Sequence, residues 1–254
     1  MTDALIGHTG FVGGCLLRAR SFDACYRSTD IDTIRGRQFD TIVCCGAPAE
    51  KWRANRDPDG DRARLTTLTS ALAAVTARRF VLISTIDVYP NPSGVDEQSA
   101  IDATASQPYG RHRHELEEFF RTRFDTTVVR LPGLFGHGLK KNAVFDLLND
   151  RPVDLMPGNA RFQFYNAERV WSDVERVIEA GLATVNVTAE PVSMSAVARG
   201  VFGRELPMPW SHSAPGYDVR SVHAGLVGGH DGYWFTARET MDGLQRFVAS
   251  ERGR

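Results

Sequence analysis

Tyr109 is followed four residues later by Arg113, and well upstream Ser84 and Thr85 close the apolar run Phe80-Val81-Leu82-Ile83. On a helix, residues four apart share one face. A cation beside a phenol stabilises the phenolate and lowers its pKa, so Tyr109 could exchange a proton with an alcohol or ketone near neutral pH. A hydroxyl at the carboxyl end of a strand sits where α/β sheets bind ligands, and there Thr85 could hold the reacting oxygen. A tyrosine and an arginine at this spacing also occur together on ordinary solvated helix faces. The pair alone does not decide.

A second constellation opens the chain, where Leu5 and Ile6 run into Gly7-His8-Thr9-Gly10-Phe11-Val12-Gly13. Glycines at intervals of three allow a tight turn and a close approach of backbone to a pyrophosphate. The helix expected over Phe11 to Arg20 would aim its unpaired N–H groups at that anion. The spacing differs from the general dinucleotide fingerprint G-x-G-x-x-G, and an ordinary glycine-rich strand-to-helix turn reads the same way.

The elements that must position these residues follow from periodicity. Strands are expected at Ala4 to Ile6, Ala24 to Arg27, Thr41 to Cys45, Phe80 to Ser84, Thr126 to Arg130 and Thr184 to Val187. Helical spacing of Leu65, Leu68, Leu72 and Val75 predicts a helix over Asp61 to Arg78. Leu116, Phe119 and Phe120 predict another over Arg111 to Arg123. Later helices are expected at Asn142 to Leu148, Ala167 to Ala180, Ser193 to Phe202 and Ala237 to Val248. The stretch Leu206 to Gly232 reads as irregular, and the alternating aromatics of Arg161-Phe162-Gln163-Phe164-Tyr165-Asn166 as a strand with one buried face. Strands alternating with helices imply crossovers and a parallel sheet covered on both faces. The expected fold is α/β: a Rossmann-type, doubly wound parallel sheet over residues 1–136. Residues 137–254 complete that core and form a small C-terminal substrate-binding lobe.

Bulk properties narrow the function classes. The 254 residues carry 30 Lys+Arg against 31 Asp+Glu, so no basic field points to nucleic acid. No run of about 18 apolar residues offers a membrane span, and the start Met1-Thr2-Asp3 lacks the basic region of a signal peptide. Cys15, Cys25, Cys44 and Cys45 lack metal or redox spacing and read as small hydrophobes in a reducing compartment. No metal is expected, since His137 and the histidines from His223 to His230 are not spaced as ligands. The chain is expected to be cytoplasmic.

Four segments, in order from Ala4 to about Val187, resemble the extended short-chain dehydrogenase/reductase family, in its NAD-dependent epimerase/dehydratase branch that acts on nucleotide sugars. They are the G-x-x-G-x-x-G turn at Gly7, the hydroxyl strand Ile83-Ser84-Thr85-Ile86-Asp87-Val88-Tyr89, the helix opening Pro108-Tyr109-Gly110, and Arg130-Leu131-Pro132-Gly133-Leu134-Phe135-Gly136. The resemblance implies NAD or NADP as cofactor and a nucleotide sugar as the small-molecule substrate. Gly7, Thr9, Gly10 and Gly13, with backbone at Phe11 and Val12, would hold the pyrophosphate, while Gly46, Ala47 and Pro48 would line the dinucleotide groove. Thr85 would bind the reacting oxygen beside Ser84, Tyr109 would be the general acid/base, and Pro132 and Leu134 would flank the nicotinamide. Members commonly pair through two helices, so a homodimer through the helices at Asp61 to Arg78 and Arg111 to Arg123 is implied.

Departures from the family pattern shape the expectation. Arg113 stands where the family has lysine; it keeps the charge and can reach ribose hydroxyls, but its fork and high pKa suit a proton relay poorly. His112 beside it reads as structural or as a proton shuttle. Thr85 is followed by Ile86-Asp87 rather than the Asp-Glu of the dehydratases, which argues for hydride transfer or epimerisation over loss of water. At the end of the second strand, Arg27 with Ser28 could take a 2′-phosphate, tilting the cofactor toward NADP, unless Asp30 binds the ribose of NAD. Lys140, Lys141 and Asn142 could meet substrate phosphates or form a solvated basic turn. The leading expectation is an NAD(P)-dependent ketoreductase or epimerase of a nucleotide-activated sugar. Its rivals are a non-catalytic NAD(P)-binding sensor or assembly protein, and a reductase of a small non-nucleotide carbonyl compound.

Overall fold

Runs such as Thr41-Ile42-Val43-Cys44 and Phe80-Val81-Leu82-Ile83 are apolar without alternation, the pattern of strands covered on both faces. In the computed structural model, which describes Thr2–Gly253, they form the middle of a sheet. In chain order the elements are β1 (Asp3–Ile6), α1 (Phe11–Ala19), β2 (Ala24–Tyr26), β3 (Gln38–Cys44), α2 (Lys51–Arg56), α3 (Pro58–Leu72), β4 (Thr76–Thr85), β5 (Ser93–Val95), α4 (Pro108–Arg123), β6 (Thr126–Leu131), β7 (Gly133–Phe135), α5 (Ala143–Leu148), β8 (Arg161–Phe162), β9 (Phe164–Asn166), α6 (Val170–Glu179), β10 (Thr184–Asn186), β11 (Val192–Ser193), α7 (Met194–Phe202), β12 (Asp218–Val219) and α8 (Ala237–Arg252). Six strands join in the order β10-β6-β4-β3-β1-β2, with β1 parallel to both β2 and β3, and β3 parallel to β4. The chain goes one way from β1 to β2 and the other way from β1 to β3. That reversal is where open α/β sheets leave a crevice at the strands' carboxyl ends. Ile6 lies in register with Tyr26 on one side and Cys44 on the other, so the turns after β1 and β3 leave the sheet side by side. The α/β Rossmann-type expectation holds.

The chain divides into two compact units. The first takes the chain up to Asn91, Ala100–Arg130 and Val170–Val185. Its core sets Ile6, Ile42, Phe80 and Leu82 of the sheet against Leu65, Leu68 and Leu72 of α3 and Leu116 and Phe120 of α4. Phe80 stacks on Phe120 and Phe124 with ring centroids 4.4 and 4.8 Å apart. Helix α3 begins with Asp57 accepting the N–H of Gly60 at 3.0 Å and Pro58 in its first turn, where a missing N–H costs nothing. The helix expected to run through Arg78 stops at Leu72, and Thr76–Arg78 already belong to β4. Val75 continues the apolar spacing but fills the core from the connecting turn. The short helix α2 was not anticipated; it is polar and buries only Ala54.

The second unit comprises Pro92–Ser99, Leu131–Arg169 and the chain from Asn186 onward. It holds three two-stranded pairs, β7 with β9, β8 with β11 and β12 with β5, around a core that includes Phe135, Leu147, Phe164, Val197 and Leu244. Arg161 to Asn166, expected as one strand, is two, interrupted at Gln163. The buried Gln163 amide donates to the carbonyls of Ala189 and Val219, both at 2.7 Å. Residues 206–232 are largely irregular, as expected, apart from β12 and a short 3-10 turn at Ala224–Val227. Glu97 helps order this region, accepting the N–H groups of Asn186 and Val222 and the hydroxyl of Ser221. Among the described residues, no helix is long and apolar enough to cross a membrane.

Candidate active site

At the carboxyl edge of the first unit's sheet, the glycine turn packs directly on the turn after β3. Gly7 has φ +86°, and a Cβ there would lie 2.6 Å from the carbonyl oxygen of Cys45. A Cβ on Gly13 would lie 2.2 Å from the Gly7 carbonyl oxygen, so neither position tolerates a side chain. Gly10 caps α1 with no side-chain hydrogen bond, and no carboxylate occupies the first turn of that helix. The N–H groups of Phe11 and Val12 begin a helix whose positive end is left uncapped and uncontested. The structure thus brings Gly7, Thr9, Gly10, Phe11, Val12 and Gly13 together with Gly46 at the chain reversal.

Arg27 follows β2, which ends at Tyr26 and does not extend to Asp30. The two residues meet: the Arg27 N–H donates to Asp30 Oδ1 at 2.7 Å, and its guanidinium lies 3.5 Å from Oδ2, both side chains substantially exposed. The thiols next to the turn are inert, Cys44 being pushed up to about 12 by burial. Cys15 and Cys44 are buried as small hydrophobes, but Cys25 is exposed, against expectation, because it alternates outward on the edge strand β2.

Thr85 ends β4, where its hydroxyl accepts the N–H of Asp87 at 3.1 Å and caps a short 3-10 turn. Tyr109 sits in the first turn of α4, 7 % exposed, its N–H donating to Asn55 Oδ1 of α2 at 2.9 Å. Gly110 makes the approach possible: a Cβ there would lie 2.1 Å from the carbonyl oxygen of Asp87. The Thr85 hydroxyl lies near enough to the Tyr109 phenol to favour its ionised form. Burial pushes the phenol above its ordinary range and the Asp87 carboxylate adds to this. The charges of Arg113 and Lys51 and the nearby Thr85 hydroxyl pull the other way without reversing it. The lowered pKa expected from Arg113 alone is not what results, because desolvation outweighs the cation.

Arg113 is close to Tyr109 but committed elsewhere. Its guanidinium carbon lies 4.1 Å from the centroid of the Tyr109 ring. One Nη donates to Asp61 Oδ2 of α3, and the other to Asp61 Oδ1 and to the carbonyl of Pro48. His112 Nδ1 meets the same Asp61 carboxylate at 2.8 Å, and all three side chains are buried. Burial alone would raise Asp61, but Arg113 and His112 hold it below the usual carboxylate range. Within this group, the Nε of Arg113 is buried with no hydrogen-bond partner.

Ser84 is not gathered with Thr85. Successive strand residues face opposite ways, and its hydroxyl donates to Glu117 of α4, inside a cluster with Arg130 and Tyr89. Pro132 and Leu134 lie in the second unit, where the Leu134 carbonyl accepts from Asn142 Nδ2 at 2.7 Å. Sequence reasoning missed Asn55, Lys51 and Asp61 as neighbours of the tyrosine. Lys51 and Asn55 are spaced i, i+4, but their segment lacks the apolar periodicity that announces a helix. Lys51 Nζ pairs with Asp87 Oδ1 at 2.7 Å.

The sequence profile of the NAD dependent epimerase/dehydratase family matches residues 18–151. The chain belongs to this family. The family match begins past the glycine turn, so that turn is read from its own geometry. No curated protein matches the chain by sequence. Several solved structures do match by shape. MoeE5 in complex with UDP-glucuronic acid and NAD is 16% identical with a TM-score of 0.75, covering 100% of both chains. The UDP-glucose 4-epimerase of Thermotoga maritima with UDP-glucose is 14% identical with a TM-score of 0.72, over 100% of this chain and 99% of that one. The dTDP-4-dehydrorhamnose reductase of Bacillus anthracis in complex with NADP is 17% identical with a TM-score of 0.73, over 98% and 99%. At such identities the likeness is one of fold. This family member's own residues fit a dinucleotide. The α1 terminus offers uncapped donors with no competing carboxylate, the glycines leave its approach bare, and the Nε of Arg113 is a buried donor with no partner in the protein.

Proposed function

We propose that the protein is an NAD(P)-dependent oxidoreductase, a ketoreductase or epimerase, acting on a nucleotide-activated sugar, with Tyr109 as general acid/base. The observation that carries this reading is the placing of Tyr109, at the start of α4, beside Thr85 at the carboxyl end of β4 by the close packing of Gly110 on Asp87, with Arg113 over the phenol ring. When bound, NAD(P) would supply or accept a hydride at a sugar carbon. Thr85 would donate a hydrogen bond to the reacting oxygen, and Tyr109 would give that oxygen its proton in reduction or take it in oxidation. Ile86 supplies no carboxylate next to Thr85, in keeping with hydride chemistry rather than loss of water.

Gly7, Gly10, Gly13 and the backbone at Phe11 and Val12 would hold the pyrophosphate, with Gly46, Ala47 and Pro48 lining the groove. Arg27 would favour the 2′-phosphate of NADP by leaving Asp30 for it, and Pro132 and Leu134 would flank the nicotinamide. The substrate class rests on family membership, together with relatives by fold whose structures hold UDP-glucuronic acid or UDP-glucose. Tyr109→Phe should lower kcat on the order of 100- to 10,000-fold while dinucleotide affinity, followed by cofactor fluorescence, changes little. Full turnover in that variant would sink the assignment. A second reading, a non-catalytic NAD(P)-binding sensor, is favoured by the commitment of Arg113 to Asp61. It predicts cofactor binding with no turnover of any sugar nucleotide.

A further inference from the structure

Three charged groups from three different elements act on the Tyr109 phenol. From its own helix α4 comes Arg113, whose charge is balanced by Asp61 of α3 and whose Nη groups are bonded to Asp61 and the Pro48 carbonyl. From the turn after β4 comes Asp87, two residues beyond Thr85, whose backbone packs on Gly110 beside the tyrosine. From α2 comes Lys51, ion-paired with Asp87 at 2.7 Å. Helix α2 is not placed there by apolar packing, since it buries only Ala54. It is anchored at the site by polar contacts one turn apart on one face: Asn55 on the Tyr109 N–H, and Lys51 on Asp87.

We propose that Lys51 is a positioning residue for the Tyr109 chemistry, supplying through its ion pair with Asp87 the adjustable positive charge that Arg113, locked to Asp61, cannot supply. The inference rests on the reading of Tyr109 as acid/base. Two charges of opposite sign and partial exposure next to a buried phenol make a tunable element. With the ammonium held by Asp87 their fields largely cancel, and a displacement of either toward the phenol changes its acidity. A fixed cation such as Arg113 sets a baseline and nothing more. The pair also gives the segment opening at Lys51 a chemical reason to be helical and to lie across the start of α4.

The test reads the phenol directly, without cofactor or substrate. Tyrosinate absorbance is titrated in the full-length protein, and the same titration of Tyr109→Phe is subtracted, which isolates one of the six tyrosines. Lys51→Met and Lys51→Arg are compared, because arginine keeps its charge throughout the range in which lysine itself would lose it. The Tyr109 titration in Lys51→Met is expected roughly one pH unit above that in Lys51→Arg, with the unaltered protein at or between them. Asp87→Asn is expected to shift it down. Coincident Lys51→Met and Lys51→Arg curves, in variants with unchanged circular dichroism, would overturn the proposal, and so would an upward shift in Asp87→Asn. A residue that merely held α2 in place would shift the titration the same way in Lys51→Met and Asp87→Asn, which break the same contact, whereas a charge effect shifts the two in opposite directions. Turnover surviving in Tyr109→Phe would remove the acid/base reading and leave the titration result standing. Coincident curves with an inactive Tyr109→Phe would remove Lys51 alone.

Discussion

Helix α4 carries two buried carboxylate–guanidinium clusters one turn apart, and they are built in opposite senses. In the first, the helix contributes the cation, Arg113, and α3 the carboxylate, Asp61. In the second, the helix contributes the carboxylate, Glu117, and β6 the cation, Arg130. Arg130 uses Nε and one Nη on Glu117 and donates from the other to Tyr89 at 2.8 Å, while Ser84 adds a further bond to Glu117. Its polar demands are met within the fold. Arg113 spends both Nη groups on Asp61 and Pro48 and leaves Nε buried and unmet, next to the tyrosine. The guanidinium of Arg130 is tied wholly into the fold, whereas that of Arg113 keeps one buried donor with no hydrogen-bond partner in the protein.

The largest expected effect falls on the Glu117–Arg130 cluster. Glu117→Gln leaves the guanidinium of Arg130 buried without its counter-charge and should lower stability by about 3–5 kcal/mol, read as a fall in Tm or urea midpoint. A loss under about 1 kcal/mol would show the cluster to be wet and dispensable. Arg113→Lys is expected to cost less, about 1–3 kcal/mol, because one ammonium cannot reach both oxygens of Asp61 and the Pro48 carbonyl in the same geometry. A stabilised Arg113→Lys protein would break the contrast between the clusters.

The smallest effect is one of pH. Asp61 and Glu117 are both held below their ordinary range in the folded protein despite burial, by Arg113 and His112 in one case and by His114, Arg130 and Ser84 in the other. The stability this contributes is present above the unfolded carboxylate pKa values of about 4 and is lost as pH falls through the depressed folded values. Urea midpoints measured downward from pH 7 should fall below about pH 4, less steeply in Asp61→Asn. An equal slope in that variant would remove Asp61 from the account.

Legibility from the sequence followed the range of the interactions. The turn at Gly7, Gly10 and Gly13 and the strand ending at Thr85 were readable because their signals are local. Helix α3 was overrun to Arg78 because Val75 keeps the apolar spacing after the backbone has left the helix. Helix α2 escaped notice because its purpose is polar, two side chains reaching Tyr109 and Asp87, and polar contacts leave no periodicity. Arg113 was recognised as an unusual occupant, but what it does depends on Asp61, fifty-two positions away and silent in any local pattern. His112, readable as structural or as a shuttle, meets that same carboxylate.

The bond from Arg113 to the Pro48 carbonyl has a consequence for how this chain can change. One guanidinium staples three segments: α4, α3 and the turn after β3. Replacing it by the family's usual lysine therefore disturbs Asp61 and Pro48 together, and a companion change at position 61 alters what the replacement costs. A direct exchange for lysine therefore gives a less stable protein, and whether position 61 changes first decides how much less.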